Sequence, residues 1–342
     1  MIRYLPVGLL SRLPRGRRAA AVAFVAAGVA ALIAVVLYTV PTLRPGHPPG
    51  AAPGVSAGVP DESAGPSAPP SGSASPSASP SPSASRSAPP PGAPPPPLPG
   101  PGAGWTLMWS PDPQRAGLRA FEGVEDDRAN TDPAHMPHIF VAHAGGNAYY
   151  QFDMPAWSQE HDSSPDRQRN EVKGMHAGGT DLMLKPGQTW RLDWSLYVTK
   201  ALQATDHFTH IMQLKMPGDG SAPLFTVDLS LEGGVPKIAL KVFAGGRTVG
   251  STNLAPLQNT WVFSSVTFTV GASPAGAVGW LLRDQSGATL VNNTVTGVGT
   301  YAPTLGDRVR PKWGIYRSLL SNHAELVPCA MYLDNMRGYL KG

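Results

Sequence analysis

Arg169-Asn170-Glu171-Val172-Lys173, Gln213-Leu214-Lys215 and Lys312-Trp313-Gly314-Ile315-Tyr316 place polar, mostly charged side chains at every second position. That spacing is the repeat of a β-strand, so in each segment these side chains share one face and the residues between them point to the other. A solvated strand face is rich in Thr, Ser and mixed charge. These three faces concentrate Arg, Lys, Gln, Glu and Tyr and lack aliphatic residues. As neighbours in one sheet, the three strands would floor a basic cleft suited to an anionic ligand.

Alternation with the same period recurs through residues 105–342. It is seen in Ala148–Asp153, Thr189–Tyr197, Leu224–Ser230, Lys237–Phe243, Trp261–Thr269, Val278–Arg283 and a closing strand Met331–Met336. Turn formers separate the runs, among them Glu232-Gly233-Gly234, Ala244-Gly245-Gly246 and Ser286-Gly287. Gly178-Gly179 and 217–223 read as loops, and no helical period stands out. Many short strands joined by Gly-rich turns over this length predict a single all-β domain, a two-sheet sandwich or jelly roll.

The chain before that domain has a different composition. Residues 1–18 form a basic leader with Arg3, Arg12, Arg15, Arg17 and Arg18, and 19–40 carry no charge. Roughly 20 apolar residues cross a bilayer core of about 30 Å, so 19–40 predict a transmembrane anchor. A cleavable signal has a shorter apolar region followed by small residues, whereas this stretch ends in Leu37-Tyr38-Thr39-Val40-Pro41. The five arginines before it, against Arg44 just after it, predict a cytoplasmic N-terminus and an extracellular C-terminal domain. Residues 41–104 collapse to Pro, Ser, Ala and Gly, with Pro94 to Pro97 near the end. Such a stretch has little to bury and predicts a disordered, semi-rigid tether.

The formal net charge is +4, but five arginines belong to the leader, so the outer domain is close to neutral. A broad nucleic-acid-binding surface is thereby excluded, and a basic cleft must be a local arrangement. One cysteine, Cys329, excludes an intrachain disulfide and cysteine-built zinc sites. Asp334-Asn335 reads as a turn or a pair of calcium ligands, far short of the 6 to 8 oxygens calcium takes, so no cofactor is expected. Glu125-Asp126-Asp127 reads as a solvated acidic loop. Oligomeric state is unconstrained.

Arg-x-Glu-x-basic, Gln-x-basic and Lys-x-Gly-x-Tyr, in this order and at strand spacing, resemble the strand motifs of concanavalin A-like jelly-roll polysaccharide lyases. The likeness is to the alginate lyases of that fold and, through Lys312 to Tyr316 with Arg317-Ser318, to heparin lyase I and glucuronan lyase relatives. Asp166 to Lys173 and Phe208 to Ile211 add to it, and it covers about Trp105 to the end. The resemblance implies a jelly-roll domain that cleaves an anionic, uronic-acid-containing polysaccharide by β-elimination.

That chemistry needs the charge of the C6 carboxylate neutralised, a base for the C5 proton and an acid for the departing O4 oxygen. By the resemblance, Arg169 and Gln213 neutralise the carboxylate and Tyr316 transfers protons. Lys312, four residues away on Tyr316's face, would stabilise tyrosinate. Glu171, Lys173, Lys215 and Arg317 are the expected substrate contacts, with Glu171 orienting its neighbours. One departure stands out. The alginate-lyase pattern has Gln-x-His, and Lys215 occupies the histidine's place. His210 is a substitute, three residues before Gln213. Strict alternation puts it on the opposite face with Met212, Leu214 and Met216, and a bulge between His210 and Gln213 would reverse that.

Two other readings compete. A glycoside hydrolase of this fold needs two carboxylates about 5 to 5.5 Å apart in a retaining enzyme, and no strand supplies such a pair. A non-catalytic module gripping anionic glycans from a stalk would use the same basic floor, with exposed aromatics such as Trp157, Trp313 or Tyr150. The bland readings are a cross-strand ion-pair ladder for Arg169, Glu171 and Lys173, and surface packing for Tyr316.

Overall fold

The structure, a computed structural model, describes Pro95 and residues 98–218 and 221–342. The leader, the proposed anchor and most of the tether lie outside the described residues. Contacts divide the chain into Met1–Ser77 and Ala78–Gly342, and all described residues belong to the second unit. Among them no helix is long and apolar enough to cross a membrane.

The strands in chain order are β1 (Trp105–Trp109), β2 (Gly123–Glu125), β3 (Ile139–Ala144), β4 (Asn147–Met154), β5 (Arg167–Lys173), β6 (His176–Ala177), β7 (Thr180–Asp181), β8 (Thr189–Val198), β9 (Thr209–Lys215), β10 (Phe225–Glu232), β11 (Val235–Val242), β12 (Arg247–Asn253), β13 (Trp261–Thr269), β14 (Gly276–Arg283), β15 (Thr289–Val298), β16 (Arg310–Ser318) and β17 (Cys329–Lys341). One sheet runs β15-β14-β13-β8-β17-β4-β3, with β1 also on β17. The other runs β12-β11-β10-β9-β16-β5-β2, and β6 and β7 form a small hairpin. All pairings within the two large sheets are antiparallel. The predicted all-β jelly-roll sandwich is what the chain forms.

Alternation drives the sandwich. Trp190, Leu192, Trp194, Leu196 and Val198 of β8 face inward, as do Met212, Leu214, Trp313 and Ile315 across from them. Trp313 stacks on Trp109 with centroids 5.7 Å apart, and Trp194 meets Trp313 edge-on. Trp313 and Tyr150, suggested above as sugar-gripping surface aromatics, are therefore core residues with 1% and 0% exposure, whereas Trp157 is 41% exposed. Strand β15 escaped the sequence reading because it is an edge strand of Thr and Asn, exposed along most of its length.

The three opening segments lie on β5, β9 and β16, and these are adjacent, with β16 between the other two. Their registers place Tyr316 opposite Arg169, Gly314 opposite Glu171, and Lys312 between Lys173 and Gln213. Gly314 permits this approach. Its φ is +141°, and a Cβ there would overlap the Asn170 carbonyl oxygen and come within 2.6 Å of Glu171 Cα. Gly314→Ala combines a disfavoured backbone region with a backbone clash, each of order 1–3 kcal/mol. Its denaturant midpoint is expected to fall by an amount corresponding to at least about 2 kcal/mol, with Gly306→Ala as the control at a similar φ without the backbone overlap.

Candidate active site

The outer faces of β5, β9 and β16 floor an open cleft of about 570 Å³. At its base is Glu171, fully buried. Its carboxylate accepts from Lys312 Nζ at 2.7 Å, Arg169 Nη1 at 3.0 Å and Gln213 Nε2 at 2.6 Å. Burial alone would push the Glu171 pKa up. Lys312 and Arg169, with the hydrogen bonds from Lys312 and Gln213, outweigh it and hold the group below the ordinary carboxylate range.

Glu125, at the end of β2, is the second carboxylate of the floor. It takes Lys312 Nζ in a short hydrogen bond, Arg169 Nη1 at 3.4 Å and Lys173 Nζ at 3.2 Å. Burial opposes its ionisation, yet Lys312, Arg169 and Lys173 bring its pKa down to about 2. The reading of Glu125-Asp126-Asp127 as a solvated loop is thus corrected. Glu125 is 9% and Asp127 4% exposed, Asp126 accepts from His138, and Asp127 accepts from the Thr131 and Asp132 amides. Ligands for an acidic trio came from β5, β16 and a distant loop, which local composition does not reveal.

Seven cationic side chains line the cleft: Arg128, Arg167, Arg169, Lys173, Lys215, Arg310 and Lys312. Six are paired to carboxylates. Lys215 has no carboxylate partner among the described residues, and burial, then Lys312 and Arg169, lower its pKa. Arg169 spends Nε on Asp162 at 2.8 Å and Nη1 on the glutamates, which leaves Nη2 without a partner among the described residues. Two donors are therefore open to an incoming anion.

The bulge anticipated around His210 exists. Against β10, β9 carries one extra residue between Met212 and His210, and β16 shifts register between Trp313 and Tyr316. Ile211 and Met212 both enter the core, so His210 and Gln213 both line the cleft. His210 Nδ1 lies 2.6 Å from Asp228 Oδ1. With its Nδ1 proton donated to Asp228, its Nε2 carries the lone pair. Its ring stacks on Phe208 at 4.8 Å and lies 5.6 Å from Tyr316, and those two rings are themselves 4.9 Å apart.

Tyr316 sits under the Arg169 guanidinium, 3.8 Å from the ring centroid. Its hydroxyl accepts from Arg167 Nη1 at 2.8 Å, and Arg167 is held by Asp166 through two bonds of 2.6 Å. Arg167 and Arg169 are thus the cations at Tyr316, and Lys312 is committed to Glu125 and Glu171. Arg317 alternates to the core side, is 1% exposed, and donates to Gln168 and to the Pro155, Leu326 and Val327 carbonyls. Placing Arg317 in the cleft is corrected by that alternation. Gln213 lines the floor, but its amide is fully buried and donates to Glu171. Arg167 and Asp228 were missed, although Arg167 shares the every-second-residue face of Arg169 and Glu171. Among the described residues no group of three or more His, Cys, Asp or Glu is arranged to hold a metal ion. Asp334 instead accepts from Asn147 at 2.8 Å and from the Asn335 amide.

No protein-family model matches the chain, and no curated protein sequence does. Among solved structures, the chain is similar to family 7 alginate lyase A1-II′ in complex with product, at 13% identity over 68% of this chain and 100% of that one, with a TM-score of 0.47. It is also similar to the PL-14 alginate lyase of Aplysia kurodai (13%, 68% and 98%, 0.45) and the endo-β-1,4-glucuronan lyase of Trichoderma reesei (12%, 68% and 95%, 0.44).

Behind the floor, Asn170 projects from β5 to the other side and donates to Glu160 at 2.8 Å. His138 joins the same cluster through Asp126 at 2.9 Å and Asp132 at 3.4 Å. Burial would lower the His138 pKa, but the Asp126 hydrogen bond and the Glu160 and Asp126 charges raise it to about 9. Burial raises Glu160 to about 7. The His138 contribution to stability is full below its ordinary 6.5 and lost as pH rises through 9, and that of Glu160 is lost as pH rises from 4.5 through 7. Both act in one direction. The unfolding midpoint is expected to fall between pH 6.5 and 9, and His138→Gln to flatten that fall. Parallel profiles for the two proteins would contradict the assignment.

Proposed function

We propose that residues 105–342 form a polysaccharide lyase that cleaves a uronic-acid polymer by β-elimination, displayed outside the cell on the 41–104 tether and the 19–40 anchor. The observation that carries this reading is that two unpartnered cationic donors, Arg169 Nη2 and Lys215 Nζ, share one open cleft with the His210–Asp228 pair and Tyr316.

Arg169 and Lys215 bind the C6 carboxylate and neutralise its charge, which acidifies the proton on C5. His210 Nε2 takes that proton, with Asp228 holding the ring's tautomer and stabilising the imidazolium. The released electron pair forms the C4–C5 double bond as the C4–O4 bond breaks. Tyr316, whose oxygen accepts from Arg167, gives its own proton to O4. Solvent then returns a proton to Tyr316 and removes one from His210. Gln213, bonded to the buried Glu171, positions the floor instead of touching the sugar, and Lys215 takes the neutralising role the resemblance gave to Gln213.

The new double bond conjugated to the carboxylate absorbs in the ultraviolet, and a binding module or a hydrolase produces no such absorbance. Screening a panel of polyuronates is expected to find one that yields it. On that polymer, His210→Asn and Tyr316→Phe are each expected to cut kcat about 10²- to 10⁴-fold, and Lys215→Gln to reduce kcat/KM. Unchanged rates in both His210→Asn and Tyr316→Phe would exclude this mechanism. Saturable binding of polyuronates without absorbance would favour the glycan-gripping module.

A further inference from the structure

Trp157, an exposed aromatic that the cleft chemistry does not use, lines a second open recess of about 550 Å³. The recess adjoins the cleft. One segment divides them, with Asp162, Ser163 and Ser164 on the cleft side and His161, Pro165 and Asp166 on the other. Leu319 and Leu320 also line the recess. They follow Tyr316 by three and four residues, so their backbone lies no more than about 14 Å from it.

The aromatic part of the recess is a platform. Trp157 and the His323 imidazole stack with centroids 3.8 Å apart and planes 15° from parallel. The imidazole takes one face of the indole, so the 41% exposure of Trp157 falls on the other face and the edges. Leu320 is 65% exposed. Single exposed apolar side chains are ordinary, whereas side chains of this kind gathered in one recess mark a place where a ligand settles.

Arg317 holds the platform from behind. Its buried guanidinium donates to the Pro155 carbonyl at 2.7 Å and to the Leu326 and Val327 carbonyls at 3.2 and 3.1 Å. It thereby ties the loop that carries Trp157 to the one that carries His323. The Trp157 amide donates to the Leu326 carbonyl at 3.1 Å, and Gln168 Nε2 to the Ala156 carbonyl at 3.1 Å. A surface ordered in advance loses little entropy when a ligand binds to it.

Charge separates the recess from the cleft. Seven Lys and Arg side chains line the cleft, and among the described residues none lines the recess. Its acids are Glu160, which is buried, and Asp166, which is bonded to Arg167. A uronate carboxylate would meet two acids there and no Lys or Arg on the lining. An uncharged pyranose suits the recess better. Its apolar C–H face packs on the indole, and Gln159, His161 and Asp166 supply partners for its hydroxyls.

We propose that the recess is a second carbohydrate site, in which Trp157 stacks an uncharged sugar ring. A polymer lying across the dividing segment then presents a uronate to the cleft and a neutral unit to Trp157. That joint use rests on the lyase reading of the cleft, whereas the recess as a sugar site does not.

Saturation-transfer difference NMR of the full chain with xylohexaose, mannohexaose and cellohexaose tests this without any turnover. At least one of the three is expected to show saturation of its ring C–H protons. It is expected to bind Trp157→Ala about tenfold or more weakly, at an unchanged unfolding midpoint, and to bind Trp157→Phe, which keeps a ring, nearly as well as the unaltered chain. Lys215→Gln, altered in the cleft alone, should bind it unchanged. No saturation with any of the three overturns the proposal, and so does equal binding to Trp157→Ala. Loss of binding in Lys215→Gln overturns it too, since the sugar would then sit in the cleft. Elimination is read separately by ultraviolet absorbance, so failure of either reading leaves the other standing.

Discussion

A carboxylate with no access to solvent, Glu171, sits between two cations and an amide at the centre of the cleft floor, and the positions of the other groups follow from it. A buried charge is tolerated only when it is paired and fully hydrogen-bonded. Lys312, Arg169 and Gln213 meet that demand from three adjacent strands. Removing one partner from a buried ion cluster costs about 3–5 kcal/mol, so each of these side chains is held in its rotamer by the others. Arg169 is consequently fixed over Tyr316 with one nitrogen to spare, and Lys215 is left as the cleft cation with no carboxylate paired to it among the described residues.

This arrangement separates two uses of positive charge that look alike in a sequence. Lys312 and Lys173 neutralise Glu171 and Glu125 and thereby build the floor. Lys215 and the free edge of Arg169 remain for a ligand. A cleft in which every cation was spent internally would repel nothing and hold nothing. Next to the open donors stand the two groups able to move protons, His210 with Asp228 behind it and Tyr316 with Arg167 beside it.

The fold was legible because alternation is a local property: β5, β9 and β16 announce themselves, and they are adjacent as expected. The floor's cations were legible for the same reason. What escaped reading is long-range or irregular. Glu125 and Asp162 reach the cleft from β2 and a loop, Asp228 from the next strand, and no spacing rule links them to Arg169 or His210. The side on which His210 falls depends on one extra residue in β9, and a bulge leaves no compositional mark. Arg317 was misplaced because a motif was followed where strict alternation should have been.

The proposed reaction is decided at C5 of the sugar on the reducing side of each cut. Proton NMR of the oligosaccharides released from a polyuronate reads that carbon directly. Elimination through His210 and Tyr316 gives new non-reducing ends with one vinylic proton on C4 and no proton on C5. New ends that keep the C5 proton would mean that the bond is broken by water, and that the cations, the histidine pair and the tyrosine serve some other chemistry.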